Sequence, residues 1–189
     1  MKKFFLSTPI RRAVTAGAAI LLAFAVVCGM LTPLLIYGED KIISQAVLNV
    51  FPTATDFREK HKSYDNEVES LYAVLTDETV AGYLYNVNAN GISGQINFYV
   101  GLDMTGRVIG IYFPYLDEPV SYGDMTDFNS FIASFTGRTG PFAGVEGAAT
   151  LSSDISLVGG AHNTCFAVID GVNAATEAFF NDELAEEAE

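Results

Sequence analysis

Residues 95–113 read QINFYVGLDMTGRVIGIYF, and this stretch decides the fold because it holds two apolar runs on either side of a turn. Polar and apolar residues alternate over residues 95–102, as in a strand with one buried face. Residues 103–106 (DMTG) have the composition of a tight turn. Residues 107–113 then return as the antiparallel partner. The stretch predicts a β-hairpin.

Further strands and helices are predicted on both sides of this hairpin. Short runs of β-branched and aromatic residues occur at residues 71–75 and 80–87, which favours two more antiparallel strands. Apolar residues recur at helical spacing over residues 126–135 and 163–180. A sheet of three or more strands needs a cover on one face, and these helices provide it. We therefore predict an α+β domain with an antiparallel sheet covered by helices, over residues 64–180.

Two segments flank this predicted domain. Residues 38–63 show helical spacing of apolar residues up to Phe51, followed by Pro52, and are interpreted as a stalk helix. Residues 181–189 (NDELAEEAE) are interpreted as a solvated acidic tail.

The N-terminal region predicts a membrane anchor. Residues 13–37 (AVTAGAAILLAFAVVCGMLTPLLIY) carry no charge and, at about 1.5 Å rise per residue, are long enough to cross a hydrocarbon core of roughly 30 Å. Residues 1–12 contain four basic residues, so we expect a cytoplasmic N-terminus, a single-pass helix in the cell membrane and an extracytoplasmic main domain. The alternative is a cleaved signal peptide, whose apolar region is shorter and ends at a small-residue cleavage site.

Composition excludes several classes of function. Residues 38–189 hold six basic and 23 acidic residues, a net charge of −17, which argues against nucleic acid as a partner. The chain has two cysteines, one of them within residues 13–37, and lacks any Cys and His cluster with metal-ligand spacing. No metal site is expected. A hydrolytic enzyme is a weak hypothesis, because the two histidines, His61 and His162, give no plausible triad.

The candidate site is a glycine-containing loop that leads directly into the second predicted helix. Backbone N–H groups at a helix start are free and carry partial positive charge, so they suit a phosphate. The alternative is an ordinary loop with a helix cap. The candidate binding residues are Gly159, Gly160, Ala161, His162, Asn163 and Thr164.

The order of these features resembles the FMN-binding domain family, which includes membrane-anchored flavin subunits of the Rnf electron-transport complex and of the sodium-pumping NADH:quinone oxidoreductase. The Rnf member is the more similar of the two. The resemblance covers nearly the whole chain and rests chiefly on residues 91–110 (GISGQINFYVGLDMTGRVIG), which match the family's GYxGxIxVxVGxDxxGxIxG block. The resemblance implies that the chain binds FMN, transfers electrons, is anchored in the lipid bilayer and associates with membrane subunits of a redox complex.

This chain departs from the flavin-attachment motif of the family. The family's SGATxTS falls on residues 159–165 (GGAHNTC), so that the threonine that carries FMN through a phosphoester bond is replaced by His162. Imidazole lacks the hydroxyl that this bond needs, and Thr164 lies two positions on, where its hydroxyl is expected to point elsewhere. FMN, if present, is therefore expected to bind noncovalently, with a protonated His162 reinforcing the backbone N–H groups.

Two functional hypotheses follow from the sequence. The first is an FMN-bearing electron-transfer subunit of an Rnf-type complex, a flavoprotein rather than a stand-alone enzyme. The second is a non-redox structural or interaction subunit that has lost its flavin.

Overall fold

The computed structural model describes residues 40–64, 66–118 and 125–186. The predicted cytoplasmic segment 1–12 and transmembrane segment 13–37 lie outside these residues. Within the described part of the chain, no helix is both long enough and apolar enough to span a bilayer. The chain divides into two compact units, Met1–Ile43 and Ser44–Glu189, and residues 40–43 are the described part of the first. These four residues are helical.

The predicted α+β class with an antiparallel sheet and covering helices is confirmed. Five antiparallel strands pair in chain order: β1 (Asp56–Lys60), β2 (Val68–Thr76), β3 (Thr79–Asn90), β4 (Gln95–Asp103) and β5 (Val108–Tyr112). The helices are α1 (residues 40–50), α2 (Met125–Ala133) and α3 (His162–Glu186). Two short strands, β6 (Ala143–Val145) and β7 (Asp154–Ser156), form a separate parallel pair that the sequence did not predict.

The hairpin at residues 95–113 forms as predicted, because local hydrogen bonds close its turn. Asp103 Oδ1 accepts hydrogen bonds from the N–H and hydroxyl of Thr105, at 2.8 and 2.7 Å, and from the N–H of Arg107 at 3.0 Å. Gly106 adopts φ of +74°, which glycine permits without steric cost. The turn is thus determined by residues that are close in sequence.

Helix α3 covers one face of the sheet, and its closest approach is at Gly171. A Cβ atom at this position would stand 2.6 Å from the side chains of Phe98 and Val87, so only glycine allows the helix to lie this close. Phe166, one of the apolar residues at helical spacing in residues 163–180, is 43% exposed and so does not lie on the buried face of α3. A chain of aromatic rings with centroids 5.1–5.8 Å apart joins α2 to the same face: Phe98, Phe113, Phe128, Phe131, Phe135 and Phe142.

The predicted stalk helix over residues 38–63 needs correction. The helix ends at residue 50, and residues 56–60 form strand β1 of the main sheet. Val50 and Phe51 pack on the opposite face of the sheet from α3, where Gly82 and Gly101 leave room for them. Ala46, Val47, Val50 and Phe51 are buried and so belong to the core of the domain, whereas Leu48 and Asn49 are exposed.

The predicted tail over residues 181–189 also needs correction, because α3 continues to Glu186. Asp182 accepts a hydrogen bond from the Tyr64 hydroxyl at 2.7 Å, and Lys62 Nζ lies 3.1 Å from its other oxygen. Burial, and then Asp182, raise the pKa of the Tyr64 hydroxyl. The last described turns of α3 are thus attached to the loop between β1 and β2, and the domain extends beyond the predicted limits of 64 and 180.

The contact between residues 50–51 and the glycines of the sheet gives the first testable prediction. Gly101→Ala would place a methyl group into Val50, whereas at the paired position Gly110 the nearest atom to an added methyl group is 3.8 Å away. We expect Gly101→Ala to lower the free energy of unfolding by about 1–3 kcal/mol, as overpacking does. Gly110→Ala should leave it nearly unchanged. Urea unfolding of the two purified full-length variants measures this, and equal losses would contradict the packing described here.

Candidate functional site

Five of the six predicted binding residues line one open cleft. Gly160, Ala161, His162, Asn163 and Thr164 form one wall, Ile92 forms part of the other, and the volume is about 280 Å³. The sixth predicted residue, Gly159, lines a neighbouring cleft of about 370 Å³ instead.

The start of α3 provides the backbone donors of this cleft. Gly160 has φ of +79° and turns the chain into the helix. The first backbone bond leading into the helix runs from the Cys165 N–H to the Ala161 carbonyl at 3.0 Å. The N–H groups of His162, Asn163 and Thr164 precede this ladder, so they carry the partial positive charge of a helix N-terminus.

The side chains at the start of α3 face two environments. Those of His162 and Asn163 reach solvent, whereas Ala161 and Thr164 are buried. His162 Nδ1 lies 3.6 Å from Glu146 Oε1, a contact between two accessible groups that is ionic only when the imidazole is protonated. His162 is therefore the only one of the six predicted residues that presents an ionisable group to the cleft.

A buried carboxylate that the sequence did not identify lies behind the cleft. Glu118 is 1% exposed. Its Oε2 accepts hydrogen bonds from the Thr164 hydroxyl at 2.7 Å and the Ile92 N–H at 3.2 Å, and its Oε1 accepts the Ser93 N–H at 3.0 Å. Glu118 thus joins the two walls of the cleft. Its sequence context, an acidic pair at 117–118 before Pro119 in a strongly acidic chain, gave no signal of this role.

The Glu118 contact also decides the orientation of Thr164. The Thr164 hydroxyl points to the carboxylate, and the residue is only 1% exposed. A phosphate could not reach this hydroxyl without displacing the buried contact with Glu118.

A second cleft, of about 330 Å³, lies on the other side of Asn163. Its lining includes Asn90, the half-exposed ring of Phe166, and the carboxylates of Glu67 and Asp170. Burial, and then the charge of Glu67, raise the pKa of Asp170. The two clefts share Asn163, and together they reach the volume of small-molecule sites, roughly 300–1,000 Å³.

The loop between β6 and β7 forms the rim beside His162. Asp154 Oδ2 holds this loop by accepting the N–H groups of Leu151 and Thr150, at 2.8 and 3.0 Å, and the Thr150 hydroxyl at 3.1 Å. These bonds, with the charge of Arg138, lower the pKa of Asp154 despite its burial. Arg138 donates to the carbonyls of Ser152 in this loop and of Asp154 at its end. It also donates to the carbonyl of Ser134, just after α2, and so attaches the loop to the end of that helix.

Among the residues that the structure describes, no group of three or more His, Cys, Asp or Glu side chains could hold a metal ion. Cys165 is buried beside the cleft, and burial raises the pKa of its thiol. A neutral, buried thiol is a weak nucleophile.

The chain matches no model of a known protein family, and no curated protein matches it either.

The Asp154 contacts predict a change in acid stability. Because the folded pKa of Asp154 is lowered, its contribution to stability is complete above the unfolded pKa of about 3.9 and is lost as the pH falls through the folded value. We expect Asp154→Asn to destabilise the protein at pH 7 and to flatten the loss of stability below about pH 4.

Urea midpoints measured between pH 7 and pH 3 test this expectation. Asp77→Asn, at an exposed turn position, is the charge-matched control. If both variants show the same acid dependence as the wild type, the Asp154 contacts do not stabilise the loop.

Proposed function

We propose that this chain is a membrane-anchored, FMN-binding-like electron-transfer subunit of an Rnf-type redox complex, with its flavin held noncovalently. The proposal rests on one observation: the cleft at the start of α3 is lined by the consecutive residues Gly160, Ala161, His162, Asn163 and Thr164. These residues occupy the register of the family's attachment turn, and three of them offer backbone N–H groups ahead of the helical ladder.

FMN would be held by two parts of the site. The N–H groups of His162, Asn163 and Thr164 would hold the phosphate, and a protonated His162 would add a charge-assisted hydrogen bond. The neighbouring cleft, lined by the half-exposed ring of Phe166 together with polar and acidic side chains, would take the isoalloxazine ring system. Bound FMN supplies one- and two-electron redox chemistry, while the protein supplies binding and orientation.

Anchoring and partnership rest on residues 1–37. The basic segment 1–12 and the uncharged segment 13–37 support a cytoplasmic N-terminus with the main domain outside. Small residues such as Gly17 and Gly29 permit close contact between membrane helices, which supports lateral association with other membrane subunits of a redox complex.

A non-redox structural or interaction subunit is the second candidate function, and Glu118 favours it. This buried carboxylate bonds to Thr164 in the first turn of α3, where it already supplies a negative charge near the positive end of the helix. Because this carboxylate already compensates the partial positive charge of the helix start, a phosphate bound there would gain less electrostatic stabilisation.

Flavin content separates the two candidates. We expect purified wild-type protein to absorb at about 450 nm through the bound isoalloxazine ring, and to lose the flavin on acid denaturation. On a denaturing gel under ultraviolet light, wild type should give no fluorescent band. His162→Thr, produced in cells that have a flavin transferase, restores the hydroxyl that a phosphoester needs and is expected to give a band.

His61→Thr is the matched control, because it makes the same substitution at an exposed loop position and should give no band. A fluorescent wild-type band would overturn noncovalent binding. Absence of flavin from the native wild-type protein, purified from cells with its neighbouring subunits, would favour the interaction subunit.

Topology gives a separate test of the anchor. The one-sided charge step across residues 13–37 predicts that Gly38 and everything after it lie outside the cytoplasm. Protease added to intact spheroplasts should therefore remove the bulk of the chain while a cytoplasmic control protein stays whole. Protection of the C-terminal domain would show that the orientation is reversed.

A further inference from the structure

We infer that Glu118 is the positioning residue of the cleft: its carboxylate fixes the turn at residues 91–94 against the first turn of α3 and so sets the width of the site. The inference that this width matters for a ligand rests on the function proposed above. The inference that Glu118 holds the two walls together rests only on the geometry, so the two can fail separately.

Glu118 holds two elements that are far apart in sequence. Its partners are 25 and 26 residues upstream, at Ser93 and Ile92, and 46 residues downstream, at Thr164. Ile92 lines one wall of the cleft and Thr164 belongs to the other. A displacement of the carboxylate therefore moves both walls.

The space around the carboxylate is also closed. A Cβ atom at Gly91 would overlap Glu118 Oε1 and the side chain of Ile96, so glycine is required for the turn to approach the carboxylate. Gly91 also donates its N–H to the Gly94 carbonyl at 2.8 Å, which closes the turn on itself. The turn thus presents the N–H groups of Ile92 and Ser93 to Glu118 as a preformed pair.

Both oxygens of the Glu118 side chain accept hydrogen bonds, and a glutamine cannot reproduce this pattern. A glutamine at position 118 has one acceptor oxygen and one NH₂ group, and the NH₂ group can accept no hydrogen bond. In either orientation it would face an N–H donor of the turn. Glu118→Gln therefore loses at least one bond to the turn while it keeps the size of the side chain.

Hydrogen exchange of the full-length protein tests the positioning role without any ligand. In Glu118→Gln, we expect the amides of Ile92 and Ser93 to exchange on the order of ten times faster than in wild type, the scale of a lost hydrogen bond to a charged group. Glu177→Gln removes an exposed charge from α3 and should leave these amides unchanged. Unchanged protection of both amides in Glu118→Gln would overturn the inference.

Thr164 provides a second route should Glu118→Gln fail to fold. Thr164→Val removes the hydroxyl donor and Thr164→Ser retains it, so faster exchange at residues 92 and 93 is expected in the first variant and rescue in the second. Thr176→Val is the matched control, because its buried hydroxyl donates to the Val172 carbonyl within the same helix, at 2.9 Å. Equal acceleration in Thr164→Val and Thr176→Val would show a merely structural effect and overturn the inference.

FMN titration of the same variants then measures the consequence for the site. Loosened walls should weaken FMN binding by on the order of tenfold in Glu118→Gln and Thr164→Val, with Thr164→Ser near wild type. Removal of a negative charge alone would instead strengthen the binding of a phosphate, so tighter binding in Glu118→Gln would overturn the positioning role. If wild type binds no FMN, the proposed function fails, and the exchange measurements still decide whether Glu118 holds the walls.

Discussion

The packing of α3 on the antiparallel sheet is the contact on which the rest of the structure depends. Gly171 lets the helix lie directly on Phe98 and Val87, near the middle of strands β4 and β3. The helix has 25 residues and extends from this contact in both directions. The first turn reaches the cleft, and the last described turns reach the loop between β1 and β2 through Asp182. Apolar burial of this kind contributes most of the stability of a domain of this size.

The sheet buries part of its second face as well. Gly82 and Gly101 remove side chains from that face, and Val50 and Phe51 occupy the space. Tyr72, Val74, Leu84 and Tyr99 are buried on the same face. Beyond them the face is polar, with the Asn97 amide donating to Asn86 at 2.8 Å and that of Asn88 donating to Glu69 at 2.7 Å. An antiparallel sheet can leave one face in water, and here it does so over only part of its area.

Charge near the cleft is balanced within a strongly acidic domain. The helix start supplies partial positive charge at the cleft, while Glu118 lies behind it and Glu146 lies at its rim beside His162. A buried carboxylate is stable only when hydrogen bonds replace its lost hydration, and the turn at 91–94 and Thr164 provide them. The same bonds that satisfy Glu118 therefore join the two walls of the cleft.

The sequence by itself determined the elements whose cause is local. The hairpin at 95–113 follows from alternation and from a turn closed by Asp103, and helices α2 and α3 follow from apolar spacing. The candidate turn was also found from the sequence, since glycines before a helix start are visible there. Tertiary structure alone decided the rest. Strand β1 has the charged sequence DFREK, which has no strand pattern, yet it pairs with β2 at the edge of the main sheet. In the sequence, nothing distinguishes Glu118 from the other acidic residues of the chain. Its role arises from partners 25 to 46 residues away, which no local pattern can indicate.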